Sequence, residues 1–260
     1  MVEFASQIIN GLAVGNIYAL LALGFSLVFG VANLINFAQG SLFMLGAYFA
    51  WTGAVALGLP LAVAVALAVA LTAAVGILID WAALRPVQQG PLIAPLLTTL
   101  AVSVIVDHGA ELIWTPDSKG FPNPLSGSVW LVGGAYISAV DALVFGVGVI
   151  AMIALTLFLE HTWMGRAIRA TAQDFEVAMQ MGVDVELMRR VTFGLAGGLG
   201  GLAGVLVGMY YQNIFPAMGL SYGLKGFTAA LLGGITSLPG AIAGGMLLGV
   251  FESLTSGYIG

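Results

Sequence analysis

The feature that most constrains this chain is a stretch of 76 residues, from Phe4 to Ile79, that contains no Asp, Glu, Lys, Arg or His. A transmembrane helix needs about 20 apolar residues, so this stretch has room for three crossings with short turns between them. Of the 260 residues in the chain, 60% are hydrophobic and 7% are charged. The sequence therefore predicts an all-α, polytopic transmembrane helical bundle and excludes an ordinary water-soluble enzyme. A transmembrane β-barrel is also excluded, because its strands would alternate in polarity over segments of about 10 residues.

Charge and cysteine content exclude further classes of function. The formal net charge is −5, so no cationic surface is available to neutralise the phosphates of a nucleic acid. The chain has no cysteine, which excludes disulfides, thiolate zinc sites and cysteine nucleophiles. Neither a nucleic-acid partner nor thiol chemistry is expected.

Hydropathy and turn residues divide the chain into about eight apolar segments within one domain, residues 1–260. The first span covers residues 8–29, the second covers 41–57 and the third ends near residue 79; later spans cover 91–111, 137–159 and 191–210. The last two segments, between Tyr222 and Tyr258, are shorter and are either two spans or a re-entrant pair.

The basic residues predict the orientation of these spans. With the N-terminus outside, the inner loops contain Arg85, Arg166, Arg169, Arg189 and Arg190. The outer loops then contain only Lys119 and Lys225. Because cytoplasmic loops are enriched in Lys and Arg, we expect the N-terminus to lie outside the cell.

The inner loop of residues 160–190 is the only long charged stretch of the chain. Asp174 can begin a helix and Gly182 can end one, so the loop is expected to form one or two short surface helices. A weak apolar stripe runs through it at Ala167, Ala170, Ala178 and Met181. Two interpretations remain open: a solvated connector whose charges only satisfy the positive-inside rule, or a docking element for a cytoplasmic partner.

Four stretches resemble the branched-chain amino acid permease family of ABC importers, the LivH/LivM type. Residues Glu176–Gly182 are similar to the E-A-A-x-x-x-G signature of importer permeases, with Val177 in place of the first alanine and without the downstream I-x-L-P part. The other three are residues 36–40 with 44–48, 169–170 with 173–174, and 231–234 with 239–241. The sequence differs from the family pattern in two ways. Gln39 is commonly histidine in relatives, and relatives usually continue with another apolar segment and a basic tail beyond the position of Gly260.

This resemblance implies a transmembrane permease subunit in the bacterial inner membrane, which moves branched-chain or related amino acids by alternating access. Its partners would be two cytoplasmic ABC ATPase subunits, a second permease subunit that is related or identical, and an extracytoplasmic substrate-binding protein. The residues expected to couple the permease to the ATPases are Arg166, Arg169, Gln173, Asp174, Glu176, Ala178 and Gly182.

The residues themselves indicate no catalysis. A P-loop requires G-x-x-x-x-G-K-[ST], and both lysines, Lys119 and Lys225, lack that context. His108 and His161 fall on opposite predicted faces of the membrane. We therefore expect no nucleotide site, no catalytic site, no metal site and no cofactor.

Polar residues within the predicted spans are the candidates for a substrate pathway. Thr99 and Ser103 are four residues apart and share a helix face; their hydroxyls either bond to carbonyls of the preceding turn or line the pathway. Asn36, Gln39 and Ser41 lie beside a helix start, and the amides of a broken membrane helix can hold the carboxylate of an amino acid. The same residues could instead form a simple turn at the inner interface.

Asp107, His108 and Glu111 support the alternative function, an ion-coupled secondary transporter. Ionisable groups at mid-bilayer depth often form proton relays. Asp107 lies 16 residues after Pro91, about 24 Å along a helix, so we expect this group near the outer end of its span. Asp141 and Glu160 bracket the fifth span, whereas the depth of Glu252 is left open.

Glycines recur at small-xxx-small spacing in the sixth span, which favours close helix packing. The contacts they make are either inside this subunit or with a second permease subunit. The glycines expected to make these helix contacts are Gly197, Gly200, Gly201, Gly204 and Gly208.

Overall fold

A computed structural model describes residues 2–87, 91, 93–122, 129–132 and 135–258 of the chain. Most of these residues are helical. The helices are α1 (Val2–Ala32), α2 (Gln39–Trp51), α3 (Leu61–Ile79), α4 (Ile93–Trp114), α5 (Ala139–His161), α6 (Trp163–Gln173), α7 (Phe175–Gln180), α8 (Val185–Tyr211), α9 (Met218–Gly233) and α10 (Leu238–Tyr258). Residues 1 and 259–260, which include Gly260, lie outside the described residues.

The predicted helical bundle is confirmed. Within the described ranges, six helices are long and apolar enough to cross a membrane: α1, α3, α4, α5, α8 and α10. Helix α2 has 13 residues and continues without a break into a π-helical turn of 5 residues, Thr52–Ala56, so this helical segment is about 27 Å long at 1.5 Å per residue. Helix α9 has 16 residues, about 24 Å. Both are shorter than the hydrocarbon layer, which is about 30 Å thick. The expected eight segments are thus six full-length helices and two shorter ones, and of the uncertain final pair only α9 is short.

The position at which α2 begins follows from the turn that precedes it. Asn33 has a φ of 50° and follows the last residue of α1. The Asn36 side chain then accepts a hydrogen bond from the backbone N–H of Ala38 at 3.1 Å. The amide side chain of Gln39, the first residue of α2, donates to the carbonyl of Ala196 near the middle of α8. The chain therefore turns back into the bundle before α2 begins.

Helix α1 is the centre of the bundle and packs against α8, α9 and α10. Most residues of α1, α2 and α8 are buried, and their largest fully buried side chains include Tyr18, Phe43 and Phe193. The α3, α4 and α5 helices instead expose apolar side chains such as Leu71, Ile105 and Ile150. A lipid bilayer is the solvent in which such exposed apolar faces are stable.

The two ends of the bundle differ in charge. Helices α1 and α10 run antiparallel, and the Ser253 hydroxyl donates to the carbonyl of Gln7 at 2.8 Å, so both chain ends lie at one end of the bundle. The short helices α6 and α7 lie at the other end. That end also contains Arg85, Arg166, Arg169, Arg189 and Arg190, and we name it the arginine-rich end.

Lys225 differs from its predicted position. The sequence analysis assigned this residue to an outer loop, but it lies within α9, where its ammonium group pairs with Glu252 of α10. The apolar segment between residues 218 and 233 continues through the lysine because this partner neutralises its charge.

Among the residues that the structure describes, four short strands lie at the end opposite the arginines. Strands β1 (Lys119–Gly120) and β4 (Asn213–Ile214) pair antiparallel, as do β2 (Val129–Val132) and β3 (Ala135–Ser138). The Trp51 indole donates to the carbonyl of Gly120 at 3.0 Å, which ties the end of α2 to this loop. Propensity did not predict β1 and β4, because each has only two residues and their pairing is a contact between distant segments.

Candidate functional site

The charged loop of residues 160–190 folds into α6 and α7 at the arginine-rich end. Thr162 precedes α6, and its hydroxyl accepts a hydrogen bond from the N–H of Gly165 at 2.9 Å. Asp174 precedes α7 and accepts from the N–H of Val177 at 2.9 Å. Each side chain satisfies an otherwise unpaired amide of a helix start, which explains why the helices begin at these residues.

Gly182 follows α7 with a φ of +83°, and no other group lies within contact distance of the position that a Cβ would occupy. The two short helices and the boundaries suggested by Asp174 and Gly182 therefore agree with the structure. The predicted apolar stripe is only half right, since Ala167 and Ala178 are buried whereas Ala170 and Met181 are exposed.

The buried side of α6 and α7 attaches them to the bundle. Gly165, Ala167, Ile168 and Thr171 of α6 are buried, and α6 contacts α1, α5 and α8. The close approach of Gly165 to Leu159 leaves no room for a side chain. Helix α6 is therefore packed tightly against the ends of these helices at the arginine-rich end.

The outer side of α6 and α7 is apolar as well as charged. Phe175, Val177, Met179 and Met181 are between 46% and 80% exposed. The predicted coupling residues Arg166, Arg169, Gln173, Asp174 and Glu176 are also exposed on these two helices. Large exposed apolar side chains that lie beyond the apolar spans and are surrounded by charges are typical of a protein docking surface.

Ion pairs link the start of α8 to the end of α3. Arg189 Nε lies 3.0 Å from Asp80 Oδ1, and both side chains are almost fully buried. Nearby, Arg85 donates two hydrogen bonds of 2.9 Å to the Glu186 carboxylate. The sequence analysis treated Arg189 as a loop charge and gave Asp80 no role, because a contact over 109 residues leaves no local signal.

A polar cluster lies at the contact between α2 and α4. The Ser41 hydroxyl donates to Asp107 Oδ1 at 2.7 Å and lies 2.9 Å from the Ser103 hydroxyl. The Ser103 hydroxyl lies 3.4 Å from Asp107 Oδ2. Three residues that the sequence analysis divided between a substrate pathway and an ion-coupling site thus form one group.

The other predicted pathway residues lie close to this cluster. Thr99 donates to the carbonyls of Leu96 at 2.9 Å and Ile35 at 3.4 Å, so its hydroxyl does bond to the preceding turn. Asn36 and Gln39 are buried, and within the described part of the chain neither Asn36 Nδ2 nor Gln39 Oε1 has a hydrogen-bond partner. The start of α2 therefore holds unused polar groups inside the bundle.

The three residues of the ion-coupling alternative have different hydrogen-bond partners. His108 Nδ1 lies 2.9 Å from Glu111 Oε2, and this pair is largely exposed. Asp107 instead faces the serines of α2 and α4. The predicted group of three is therefore not a single cluster. Among the residues that the structure describes, no group of three or more histidines and carboxylates is placed to hold a metal ion.

The selected glycines of α8 lie against other parts of the same chain. A Cβ on Gly197 would lie 2.6 Å from the Thr72 carbonyl, and Gly201 lies against the Thr72 side chain and the backbone of Gly46. Gly200 lies beside Gln39, Gly204 beside the Phe43 carbonyl, and Gly208 beside Phe121 and Ile214. Their role in stabilising these contacts is still a prediction, which the substitution described in the Discussion tests.

The fold and these features define a class: a polytopic helical membrane protein with two short helices, exposed on their outer side, at its arginine-rich end. Residues 7–260 match the family model described as "Branched-chain amino acid transport system / permease component". The chain belongs to this family.

Several characterised proteins are similar to the chain. It is 35% identical to the high-affinity branched-chain amino acid transport system permease protein LivH of Escherichia coli (strain K12), over 98% of the chain and 87% of that protein. It is also 35% identical to BraD of Pseudomonas aeruginosa, a permease protein of the same kind of system, over 99% and 88% of the two chains. A probable branched-chain amino acid transport permease of Methanocaldococcus jannaschii is 32% identical over 94% and 78%. No solved structure is significantly similar.

Proposed function

We propose that this chain is the membrane-permease subunit of an ATP-driven importer that moves branched-chain or related amino acids across the bacterial inner membrane. Membership of the permease family and the names of its relatives support this proposal. The observation that carries the mechanism is the apolar and charged surface of α6 and α7, which we propose is the site of ATPase docking. The chain lacks a P-loop, so the energy of ATP hydrolysis must come from partner subunits.

The subunit composition of the importer is also part of the proposal. Two ATPase subunits bind at the arginine-rich end, a second permease subunit completes the membrane unit, and a binding protein delivers substrate at the opposite end. The five arginines support a cytoplasmic position for α6 and α7, and therefore an N-terminus outside the cell.

The packing of α6 suggests how ATPase closure is transmitted. When the ATPases move together, the exposed residues of α7 move with them, and the buried face of α6 displaces the inner ends of α1, α5 and α8. The Asp80–Arg189 pair extends this displacement to α3. The result is an alternation between two packings of the helices, with substrate access from one side at a time.

The polar break before α2 is proposed as part of the pathway. Asn36, Gln39, Ser41, Thr99 and Ser103 are its candidate residues. Their support is the presence of unpaired polar atoms at the start of a helix that begins inside the bundle, a position where membrane transporters hold polar substrates.

The test of the function is uptake of labelled leucine into vesicles that contain the permease, its partner ATPases and the binding protein. We expect uptake to require ATP and to survive collapse of the proton and sodium gradients. Uptake that follows the gradients and ignores ATP would contradict the proposal.

The coupling role is tested by a variant that combines Glu176→Ala and Gly182→Pro. Proline cannot adopt the positive φ of Gly182, so α7 should lose its orientation while the apolar spans stay intact. We expect uptake to fall at least tenfold, with normal amounts of assembled complex. Asp117→Ala, in the exposed loop at the opposite end, is the matched control. Unchanged uptake by the double variant would remove α7 from the mechanism.

A further inference from the structure

Two opposite charges, Lys225 and Glu252, lie together at membrane depth. The sequence analysis did not predict that they form a pair. Lys225 is in α9 and Glu252 is in α10, six residues before the end of that helix. Both meet Tyr18, which is at the middle of the 31-residue helix α1. The pair therefore lies within the thickness of the bundle and not in a loop.

The three side chains form a closed set of hydrogen bonds. The Tyr18 hydroxyl donates to Glu252 Oε2 at 2.8 Å and accepts from the Lys225 ammonium at 3.1 Å. The ammonium also bonds to Glu252 Oε1 and lies 5.4 Å from the centre of the Tyr222 ring. Tyr18 is fully buried, so it fixes the position of the carboxylate.

The charged pair nevertheless faces out of the chain. The Lys225 and Glu252 side chains are 39% and 38% exposed. A charge that faces lipid at this depth costs several kcal/mol, so such groups normally face a water-filled cavity or another protein surface. The span that contains Glu252 also has the lowest mean hydropathy of the six, 1.3, as expected for a helix that does not face only lipid.

A polar cavity of about 200 Å³ adjoins the pair at the end opposite the arginines. Glu252 lines it together with Tyr210 and Tyr211 of α8, Val14 of α1 and four polar side chains of α1 and α10. These polar residues are Gln7, Asn10, Ser253 and Ser256. The cavity thus contains hydrogen-bonding groups and the Glu252 carboxylate. Lys225 is not one of its lining residues, but its ammonium bonds to that same carboxylate.

We propose that Lys225 and Glu252 form a binding site for the zwitterionic head group of an α-amino acid, at the outer end of the translocation pathway. The substrate carboxylate binds the Lys225 ammonium, and the substrate ammonium binds the Glu252 carboxylate. The ion pair opens to accept the ligand and closes again when the ligand leaves, so no charge is left unpaired at membrane depth. Tyr18 is a positioning residue that holds Glu252. This inference rests on the proposed function.

The charge pattern selects the class of ligand. A ligand with a carboxylate but no ammonium would satisfy Lys225 and leave Glu252 without its partner, and a ligand with only an ammonium would do the reverse. At membrane depth, leaving one of these two charges without a partner is unfavourable. The pair therefore accommodates a ligand that has a carboxylate and an ammonium close together, as an α-amino acid has.

The test measures leucine binding to the purified complex of permease and ATPases in lipid nanodiscs, without the binding protein, so that selection by the binding protein does not contribute. We expect Lys225→Met and Glu252→Gln each to raise the Kd for leucine about 10- to 100-fold, the range expected when a charged hydrogen bond is lost. The double variant, which leaves no unpaired charge, should also bind weakly. Lys225→Arg should retain binding.

Competition with leucine analogues separates recognition from a structural role. Leucinamide lacks the carboxylate and 2-hydroxy-4-methylpentanoate lacks the ammonium. Lys225→Met should reduce the preference for leucine over leucinamide, and Glu252→Gln should reduce the preference for leucine over the hydroxy acid. Lys119→Met removes the other lysine of the chain, which lies in the outer loop, and is expected to change neither preference.

The outcomes distinguish this inference from the proposed function. A wild-type complex without ATP-dependent leucine uptake contradicts the proposed function itself. A wild-type complex that transports leucine, combined with a double variant that keeps the wild-type Kd and both preferences, overturns only the binding site. Dissociation of the permease pair in the variants, with leucine affinity unchanged, would make the charges an interface between subunits and would also overturn it.

Discussion

Replacing Gly197 by alanine tests the packing of α8 against α3 quantitatively. The new Cβ would lie 2.6 Å from the Thr72 carbonyl oxygen and 3.3 Å from Gly76 Cα, whereas ordinary contacts begin at 3.4 Å. Both neighbours are backbone atoms of α3, so no side-chain rotation relieves the overlap. The two helices must separate by roughly 0.8 Å, and a gap of that size loses a quarter to a half of each dispersion contact across the interface.

The expected loss of stability is about 1–3 kcal/mol, the usual cost of adding a methyl group to a tightly packed core. For a chain of this length that corresponds to a fall in Tm of roughly 2–10 °C. The assay is thermal unfolding of the purified permease in mild detergent, followed by tryptophan fluorescence.

Gly109→Ala and Gly146→Ala are the matched controls for this measurement. Both glycines are helical, and a Cβ on either one would contact no other group among the described residues. Alanine is the better helix former by up to about 1 kcal/mol, so these variants should keep or raise the Tm. If Gly197→Ala behaves like the controls, the close approach of α3 and α8 is wrong.

Three further predictions concern the other polar features. Asp174→Ala removes the cap of α7, which is worth about 1 kcal/mol. It should lower the leucine uptake per ATP hydrolysed without lowering the yield of assembled complex, and a variant with the same uptake per ATP as the wild type would contradict this. Arg189→Met leaves Asp80 buried and unpaired and should destabilise the permease by about 3–5 kcal/mol, while Asp80→Leu combined with Arg189→Met should recover most of the Tm. Asp107→Asn should not change the response of uptake to collapsed ion gradients, and a variant that gains or loses gradient dependence would restore the ion-coupled alternative.

The parts of the fold that local chemistry dictates were predictable from the sequence. The absence of charge between Phe4 and Ile79 predicts membrane helices because only a fully hydrogen-bonded backbone is stable in lipid. The boundaries of α7 were predictable because Asp174 and Gly182 act within one helical turn of their own positions. These signals do not depend on how the helices pack together.

Contacts between distant segments were not predictable in the same way. Hydropathy does not reveal that α2 begins inside the bundle. The segment after Gln39 is apolar, and it would have the same hydropathy if its helix began at the membrane surface. Lys225 resembled a loop lysine because its partner Glu252 is 27 residues away, and Tyr18 is 207 residues away. The available signal was the charge itself, because an ionisable residue inside an otherwise apolar segment requires a partner.

The most direct test of the central claim is site-specific crosslinking, since the chain has no cysteine of its own. Met181→Cys, at a position 80% exposed beside α7, is labelled with a thiol-reactive photocrosslinker in the assembled importer, and Asp117→Cys provides the matched position at the opposite end. We predict that Met181→Cys crosslinks to the ATPase subunit and Asp117→Cys does not. Crosslinking of the ATPase from position 117, with none from position 181, would contradict both the orientation of the chain and the coupling role of α6 and α7.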